Sequence, residues 1–96
     1  MFARHVTYHA EPGHRETIIG YIEGLLPEIR KMPGYIDILM LVDEAANEYV
    51  GVSTWATRQD AEDVTTTLMP QIMARLAAVL DAAPIVRIYE VHEARV

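Results

Sequence analysis

The residue best suited to contact a small molecule is Trp55, the only tryptophan in the chain. It ends a run of β-branched, aromatic and small residues, 49–55, that favours a strand. Just beyond it, Thr57 and Asp60 have helix-cap spacing, in which the hydroxyl accepts a hydrogen bond from the backbone N–H three residues later. An indole joins a flat apolar ring to one N–H donor. Trp55 is therefore predicted to line a pocket at this strand-to-helix junction, with a role as a core packing residue as the alternative.

A second set of candidates lies near the N-terminus, where residues 2–9 alternate with the two-residue period of a strand. Phe2, Val6 and Tyr8 share one side of this strand. We expect Val6 and Tyr8 to face the pocket, where the Tyr8 hydroxyl would be a polar contact for a ligand. The alternative is that Tyr8 belongs to the core.

The four histidines do not predict a metal site. His5 and His9 lie on the opposite side of the first strand, but four residues of strand separate their Cα atoms by roughly 13 Å, too far to ligate one ion. We expect them to face a subunit interface, together with His92, and we expect His14 to be exposed. No metal and no cofactor is predicted.

Composition excludes several classes of function. Fourteen acidic against eight basic residues give a formal net charge of −6, so nucleic acid and anionic membranes are disfavoured as partners. The chain has no cysteine, which excludes disulfides and Cys-ligated zinc. Neither a signal peptide nor an apolar run of about 18 residues is present. We therefore expect a single cytoplasmic domain, residues 1–96.

The hydrophobic periodicity predicts six elements. Strands are expected at 2–9, 35–43, 49–55 and 85–92, and amphipathic helices at 14–32 and 58–81. Pro27 should kink or restart the first helix, and Pro70 should split the second into two pieces. The resulting order is βαββαβ.

This order predicts a ferredoxin-like α+β fold, an antiparallel four-stranded sheet with both helices on one face. The second strand is apolar on both sides: it offers Ile36, Ile38, Met40 and Val42 to one and Tyr35, Leu39 and Leu41 to the other. Two helices cover only one face of a sheet. We therefore expect a second copy of the chain to cover the other, in a homodimer.

Three short motifs in order along the chain resemble the antibiotic biosynthesis monooxygenase family: Glu11-Pro12-Gly13, Met32-Pro33-Gly34-Tyr35, and Val52-Ser53-Thr54-Trp55-Ala56-Thr57 followed by Asp60-Ala61-Glu62. Members of this family are dimeric α+β barrels. The resemblance implies an apolar or aromatic small-molecule ligand in a pocket between sheet and helices. The tryptophan strand would form its floor, with Ser53 as a contact, and Leu68 and Ile72 of the second helix would line it.

The resemblance also implies a chemistry. Quinone-forming members oxidise phenolic substrates with molecular oxygen and without a cofactor, and by this likeness Trp55 and Arg75 would be the catalytic residues, with Arg75 stabilising an enolate. The chain departs from that pattern at Gly51 and Ala61, where those enzymes place an asparagine and a tyrosine. It also has Thr65 where haem-degrading relatives place the iron-binding histidine, which disfavours haem degradation.

Two functions from different classes follow. One is a small cofactor-independent monooxygenase that acts on a phenolic or quinol-type aromatic. The other is a non-catalytic dimeric module, such as a stress-responsive α+β barrel protein, that binds an apolar small molecule or only assembles. Both use the same fold.

Overall fold

A computed structural model describes residues 1–92 of the chain. Along this part the elements are β1 (Phe2–His9), α1 (Arg15–Ile29), β2 (Tyr35–Asp43), β3 (Glu48–Trp55), α2 (Arg58–Leu76) and β4 (Ile85–Glu90). The strands form one antiparallel sheet in the order β2-β3-β1-β4. The predicted ferredoxin-like βαββαβ fold is confirmed.

Both helices cover the same face of the sheet, because a single core joins their buried stripes to alternate residues of β1 and β3. On the sheet this inner face is defined by the register, which sets Arg4 opposite Ser53 and Tyr8 opposite Tyr49. The helices supply side chains at steps of three and four residues, the spacing of one helix face. These are Ile18, Ile22, Leu25 and Ile29 of α1 and Ala61, Val64, Leu68, Ile72 and Leu76 of α2.

The predicted sides of Tyr35 and Ile36 on β2 are wrong. The register between β2 and β3 shifts between Tyr35 and Asp37, as it does at a β-bulge, which inserts one extra residue into a strand. Tyr35 is consequently paired with Trp55, and the two rings meet edge to face with their centroids 5.8 Å apart. Ile36, expected beside Ile38, is instead 49% exposed. Strict alternation cannot anticipate such an insertion.

The prolines do not interrupt the helices as predicted. α2 runs through Pro70 without a break, and α1 continues past Pro27 to Ile29. Both prolines lie on exposed helix positions, where the carbonyl groups deprived of an N–H partner are open to solvent. The helices also end earlier than expected, α1 at Ile29 and α2 at Leu76.

The outer face of the sheet carries apolar side chains that no helix covers. In the register of β2 with β3, Leu39 lies opposite Val52 and Leu41 opposite Val50. Leu39 and Leu41 are each 50% exposed, and Tyr89 on β4 is 49% exposed. Within residues 1–92, no helix has the length and apolarity needed to cross a membrane.

Candidate functional site

A cavity lies between the inner face of the sheet and the two helices. Its wall combines residues from β1, β2, β3, α1 and α2 and is mostly aliphatic. The polar exceptions lie on the two central strands: Arg4 and Tyr8 on β1 and Ser53 on β3. The complete lining is Arg4, Val6, Tyr8, Ile22, Leu25, Ile29, Ile38, Met40, Gly51, Ser53, Trp55, Val64, Leu68 and Ile72.

The cavity is narrow. Its space including the open mouth is about 420 Å³, but only about 30 Å³ admits the centre of a water-sized sphere. Since roughly 10–15 Å³ of the latter volume holds one water molecule, the enclosed part accommodates very few atoms. A ligand of one aromatic ring must therefore use the mouth as well, and a polycyclic ligand requires side chains to move.

Trp55 forms one end of this wall and is fully buried, with 0% of its surface exposed. Its indole N–H donates a 2.8 Å hydrogen bond to the Ser53 hydroxyl. Both side chains project from β3 toward the helices, because they are two residues apart on one strand. The indole N–H is therefore already engaged, and the Ser53 hydroxyl, which accepts this bond, keeps its own proton to donate.

Sequence reasoning missed Arg4. The same alternation that turns Val6 and Tyr8 inward also turns Arg4 inward, and that parity was the available signal. The side chain is 8% exposed. Its Nε donates to the Thr65 hydroxyl at 2.7 Å, and Thr65 in turn contacts the Ala61 carbonyl at 3.4 Å. α2 thereby fixes the orientation of the guanidinium.

The remaining part of the guanidinium has no protein counterpart. Among residues 1–92, Nη2 of Arg4 is buried without a hydrogen-bond partner, and the cavity lining contains no Asp or Glu. Burial lowers the pKa of the Arg4 guanidinium, and the nearby Tyr8 opposes that effect. An arginine nevertheless keeps its proton at neutral pH. The cavity therefore holds a positive charge that none of its own lining residues neutralises.

Tyr8 is the third polar residue of the wall and is 3% exposed. Burial raises the pKa of its hydroxyl to about 12, although the positive charge of Arg4 acts in the opposite direction. The side chain is thus a neutral phenol across the physiological range. It can donate or accept a hydrogen bond, but it does not supply a negative charge to Arg4.

The structure brings most of the predicted site residues together. Val6, Tyr8, Ser53, Trp55, Leu68 and Ile72 all line the cavity. Arg75 does not: it lies in the last turn of α2, is exposed, and is not part of the lining. Its neighbour Leu76 faces the core and is the last residue of the buried stripe of α2.

The three positions at which the chain departs from the family pattern now have definite surroundings. Gly51 lines the cavity on β3, opposite Val6 and Met40, where the absent side chain leaves space. Ala61 is fully buried in the core. Thr65 accepts the Arg4 hydrogen bond.

None of the four histidines, His5, His9, His14 and His92, lines the cavity. The His5 ring meets Tyr89 edge to face, with centroids 5.5 Å apart, on the outer face of the sheet. His9 Nδ1 is 3.7 Å from an Asp81 carboxylate oxygen. His92 is exposed beyond the end of β4. Across the described residues, no three His, Asp or Glu side chains come close enough to hold a metal ion.

Comparison with known proteins now adds to this geometry. The sequence profile of the family described as antibiotic biosynthesis monooxygenase matches residues 1–68, a segment that includes β1, β3 and the Trp55 junction. No curated protein sequence matches the chain.

Solved structures show the same fold at low sequence identity. A protein of unknown function from Nitrosomonas europaea superposes with a TM-score of 0.82 at 18% identity, covering 99% of this chain and 92% of that one. A second Nitrosomonas europaea protein, provisionally assigned as an antibiotic biosynthesis monooxygenase, gives 0.78 at 16% identity, covering 92% and 86%. A structure described as an antibiotic biosynthesis monooxygenase gives 0.73 at 16% identity, covering 97% and 100%. These likenesses extend over nearly the whole fold.

Proposed function

We propose that this protein oxidises a small phenolic or quinol-type aromatic with molecular oxygen and without a cofactor. The premise is its family: the chain belongs to the antibiotic biosynthesis monooxygenase family. The observation that carries the proposal is the cavity itself. It is apolar along most of its wall, and a buried guanidinium and the hydroxyls of Ser53 and Tyr8 are its polar groups. Apolar walls with few polar groups are typical of sites for aromatic ligands.

The first step asks little of the protein. A phenol bound beside the Arg4 guanidinium ionises more easily, because an opposite charge in a site shielded from water favours the anionic form. The proton passes to solvent, so the protein need not supply a carboxylate or imidazole base. The phenolate then carries enough electron density to transfer an electron to oxygen. Arg4 and the Ser53 hydroxyl stabilise the negative charge that moves during this transfer.

The overall reaction balances without an external reductant when the phenol is conjugated to a methylene group. The substrate supplies four electrons and the two methylene hydrogens. One oxygen atom replaces these hydrogens as a carbonyl, and the other leaves as water after the O–O bond breaks. The protein's contribution is to bind the anion, align the ring against Trp55 and restrict the access of water.

We also propose that the functional unit is a homodimer in which the outer faces of two sheets pack together. This proposal rests on neighbouring apolar side chains of the outer face: Leu39 and Leu41 of β2, each 50% exposed, lie opposite Val52 and Val50 of β3. Monomeric proteins rarely leave a contiguous apolar face of this kind uncovered. The cavity lies on the other side of the sheet, so both copies retain it.

Ligand binding without turnover is the second candidate function, and one observation favours it. Within the described part of the chain, the cavity lining includes no Asp, Glu or His that could accept a substrate proton. A binding module of this fold would need only the apolar wall and the charge of Arg4.

Oxygen uptake separates the two candidates. Purified protein in the presence of a chelator is mixed with a panel of phenols that carry a conjugated methylene group, and oxygen consumption is followed with an electrode. With isotopically labelled oxygen, the monooxygenase proposal expects one labelled atom in the product and one in water. Ligand-dependent quenching of Trp55 fluorescence without any oxygen uptake across the panel would leave the binding module.

A further inference from the structure

We propose that Arg4 determines the ligand class of the cavity, by selecting compounds that carry one negative charge on a small apolar body. The inference deepens the proposed function, since it concerns the same cavity, but it requires only binding and no turnover. It names a chemical class of ligand: a phenolate, an enolate or a carboxylate attached to a single ring.

The position of Arg4 shows that the charge is held in place. β1 is a central strand, paired with β3 on one side and β4 on the other, so the Arg4 backbone cannot easily move. The hydrogen bond from Nε to Thr65 fixes the guanidinium plane from the helix side. A solvated arginine that merely covers apolar surface would have its charged end in water, whereas this residue is 8% exposed.

Nη2 of Arg4 lacks a hydrogen-bond acceptor among residues 1–92. A buried charge is normally paired, since an unpaired one carries a large desolvation penalty. In residues 1–92 the basic and acidic side chains that lie within 4 Å of each other are His9 with Asp81 and Arg15 with Glu44, and neither contact involves Arg4. An anionic ligand would supply the missing acceptor, while a neutral ligand of the same shape would leave the penalty in place. The selectivity follows from this difference.

The size limit comes from the same wall. The enclosed space of about 30 Å³ is bordered by aliphatic side chains from both helices. An anion that places its charged group at Arg4 must send its apolar part past these side chains toward the mouth. Monocyclic anions come closest to meeting both conditions, because a polycyclic body requires side chains to move.

The test compares ligands that differ only in charge. Benzoate and benzamide are titrated at neutral pH, with the single tryptophan's fluorescence as the readout, and para-nitrophenol is titrated with its visible colour as a direct measure of ionisation. We expect benzoate to bind roughly 10- to 100-fold more tightly than benzamide, the ratio associated with one hydrogen-bonded charge. We also expect bound para-nitrophenol to be more ionised than the free compound. Equal affinities for benzoate and benzamide would overturn the inference using the unaltered protein alone.

Variants then assign the effect to Arg4. Arg4→Met removes the charge at similar length, and Arg4→Gln keeps a polar group, so each should abolish the preference for benzoate. Arg30→Met removes an exposed positive charge at the end of α1 and should preserve it. A preference that survives in folded Arg4→Met and Arg4→Gln would contradict the proposal.

The outcomes remain distinct from those of the proposed function. Charge-selective binding without oxygen uptake on any phenol supports the inference and removes the oxygenase. Oxygen uptake that persists unchanged in Arg4→Met supports the oxygenase and removes the inference.

Discussion

The indole N–H of Trp55 donates to the hydroxyl of Ser53, two residues earlier on the same strand, across 2.8 Å. The tryptophan therefore orients the serine hydroxyl and also forms part of the cavity wall. If this pair stabilises negative charge during turnover, its two members act as one unit.

A double-mutant cycle tests that unit. Trp55→Phe keeps an aromatic ring but removes the donor, and Ser53→Ala removes the hydroxyl. We expect each to lower kcat/KM by roughly 100-fold, about the effect of losing one positioned donor, and the double variant to lose little more than either single variant. Thr67→Ala, on the exposed side of α2, is the control. Additive losses would show that the two side chains act independently.

Arg4→Met is expected to stabilise the protein. The substitution removes a buried charge that lacks a full set of partners and replaces it with an apolar side chain, so the free energy of unfolding should rise by about 1 kcal/mol or more. Urea denaturation in the absence of ligand measures this change. If Arg4 instead stabilises the fold, the free energy of unfolding should fall on substitution, and a fall of about 2 kcal/mol would assign Arg4 a structural role.

Tyr8 makes stability depend on alkaline pH. Its pKa is about 12 in the folded protein, whereas an unfolded tyrosine ionises near about pH 10. Between these values the unfolded chain loses the proton and the folded chain keeps it, so stability is complete below about pH 10 and falls as the pH rises, by at most about 3 kcal/mol. Tyr8→Phe should make this decline shallower. Parallel denaturation curves from neutral to alkaline pH compare the two proteins, and identical slopes would be the contrary result.

Gly34 is required at the junction of α1 and β2. Its φ of +79° is one that residues with a side chain rarely adopt, and a Cβ there would overlap the Asp60 carboxylate at the start of α2. Gly34→Ala should therefore lower the free energy of unfolding by more than about 2 kcal/mol. Gly13→Ala is a matched control, with a φ of +89° but no atom within 4 Å of its Cβ. Thermal denaturation of both variants separates backbone strain from overlap, and equal losses would show that Asp60 moves aside.

Val52→Asp tests the proposed dimer. Val52 lies opposite Leu39 on the outer face, so a carboxylate there would enter the interface without a partner and dissociate the two copies. Sedimentation velocity at micromolar concentration should show dimers for the unaltered protein and monomers or unfolded chains for the variant. Thr66→Asp, on the exposed side of α2, should remain dimeric. A folded monomer before any substitution would contradict the proposal.

Much of the fold could be predicted because its signals are periodic. The alternation of β1 placed Val6 and Tyr8 inward, and the helical spacing placed Leu68 and Ile72 beside them. The register shift at Ile36 could not be predicted, since it depends on how β2 pairs with β3 and not on residue type. The predicted break at Pro70 was wrong because this proline lies on the exposed face of α2, where solvent can replace the lost backbone hydrogen bond.

The candidate site was predicted less completely than the fold. Trp55 and Ser53 were predicted to face the cavity from β3, and both line it; their roles in function stay predictions. Arg4 was overlooked because a charged residue is normally assigned to solvent, even where its neighbours on the same parity are apolar. Arg75 was proposed because related enzymes have an arginine at a similar spacing after the tryptophan. Spacing alone does not fix the direction in which a helical side chain points: α2 buries Leu68, Ile72 and Leu76 and leaves Arg75 exposed.

The backbone of Gly51 forms the cavity floor between Val6 and Met40, and a Cβ there would meet the Met40 sulfur at 3.4 Å, an ordinary contact. A methyl group therefore fits there, against the flexible thioether of Met40. The depth of the cavity at this point therefore depends on the side chain at position 51, which can change while the pairing of β3 with β1 and β2 is kept. A substitution at this one position would therefore change the size of molecule that the cavity accepts.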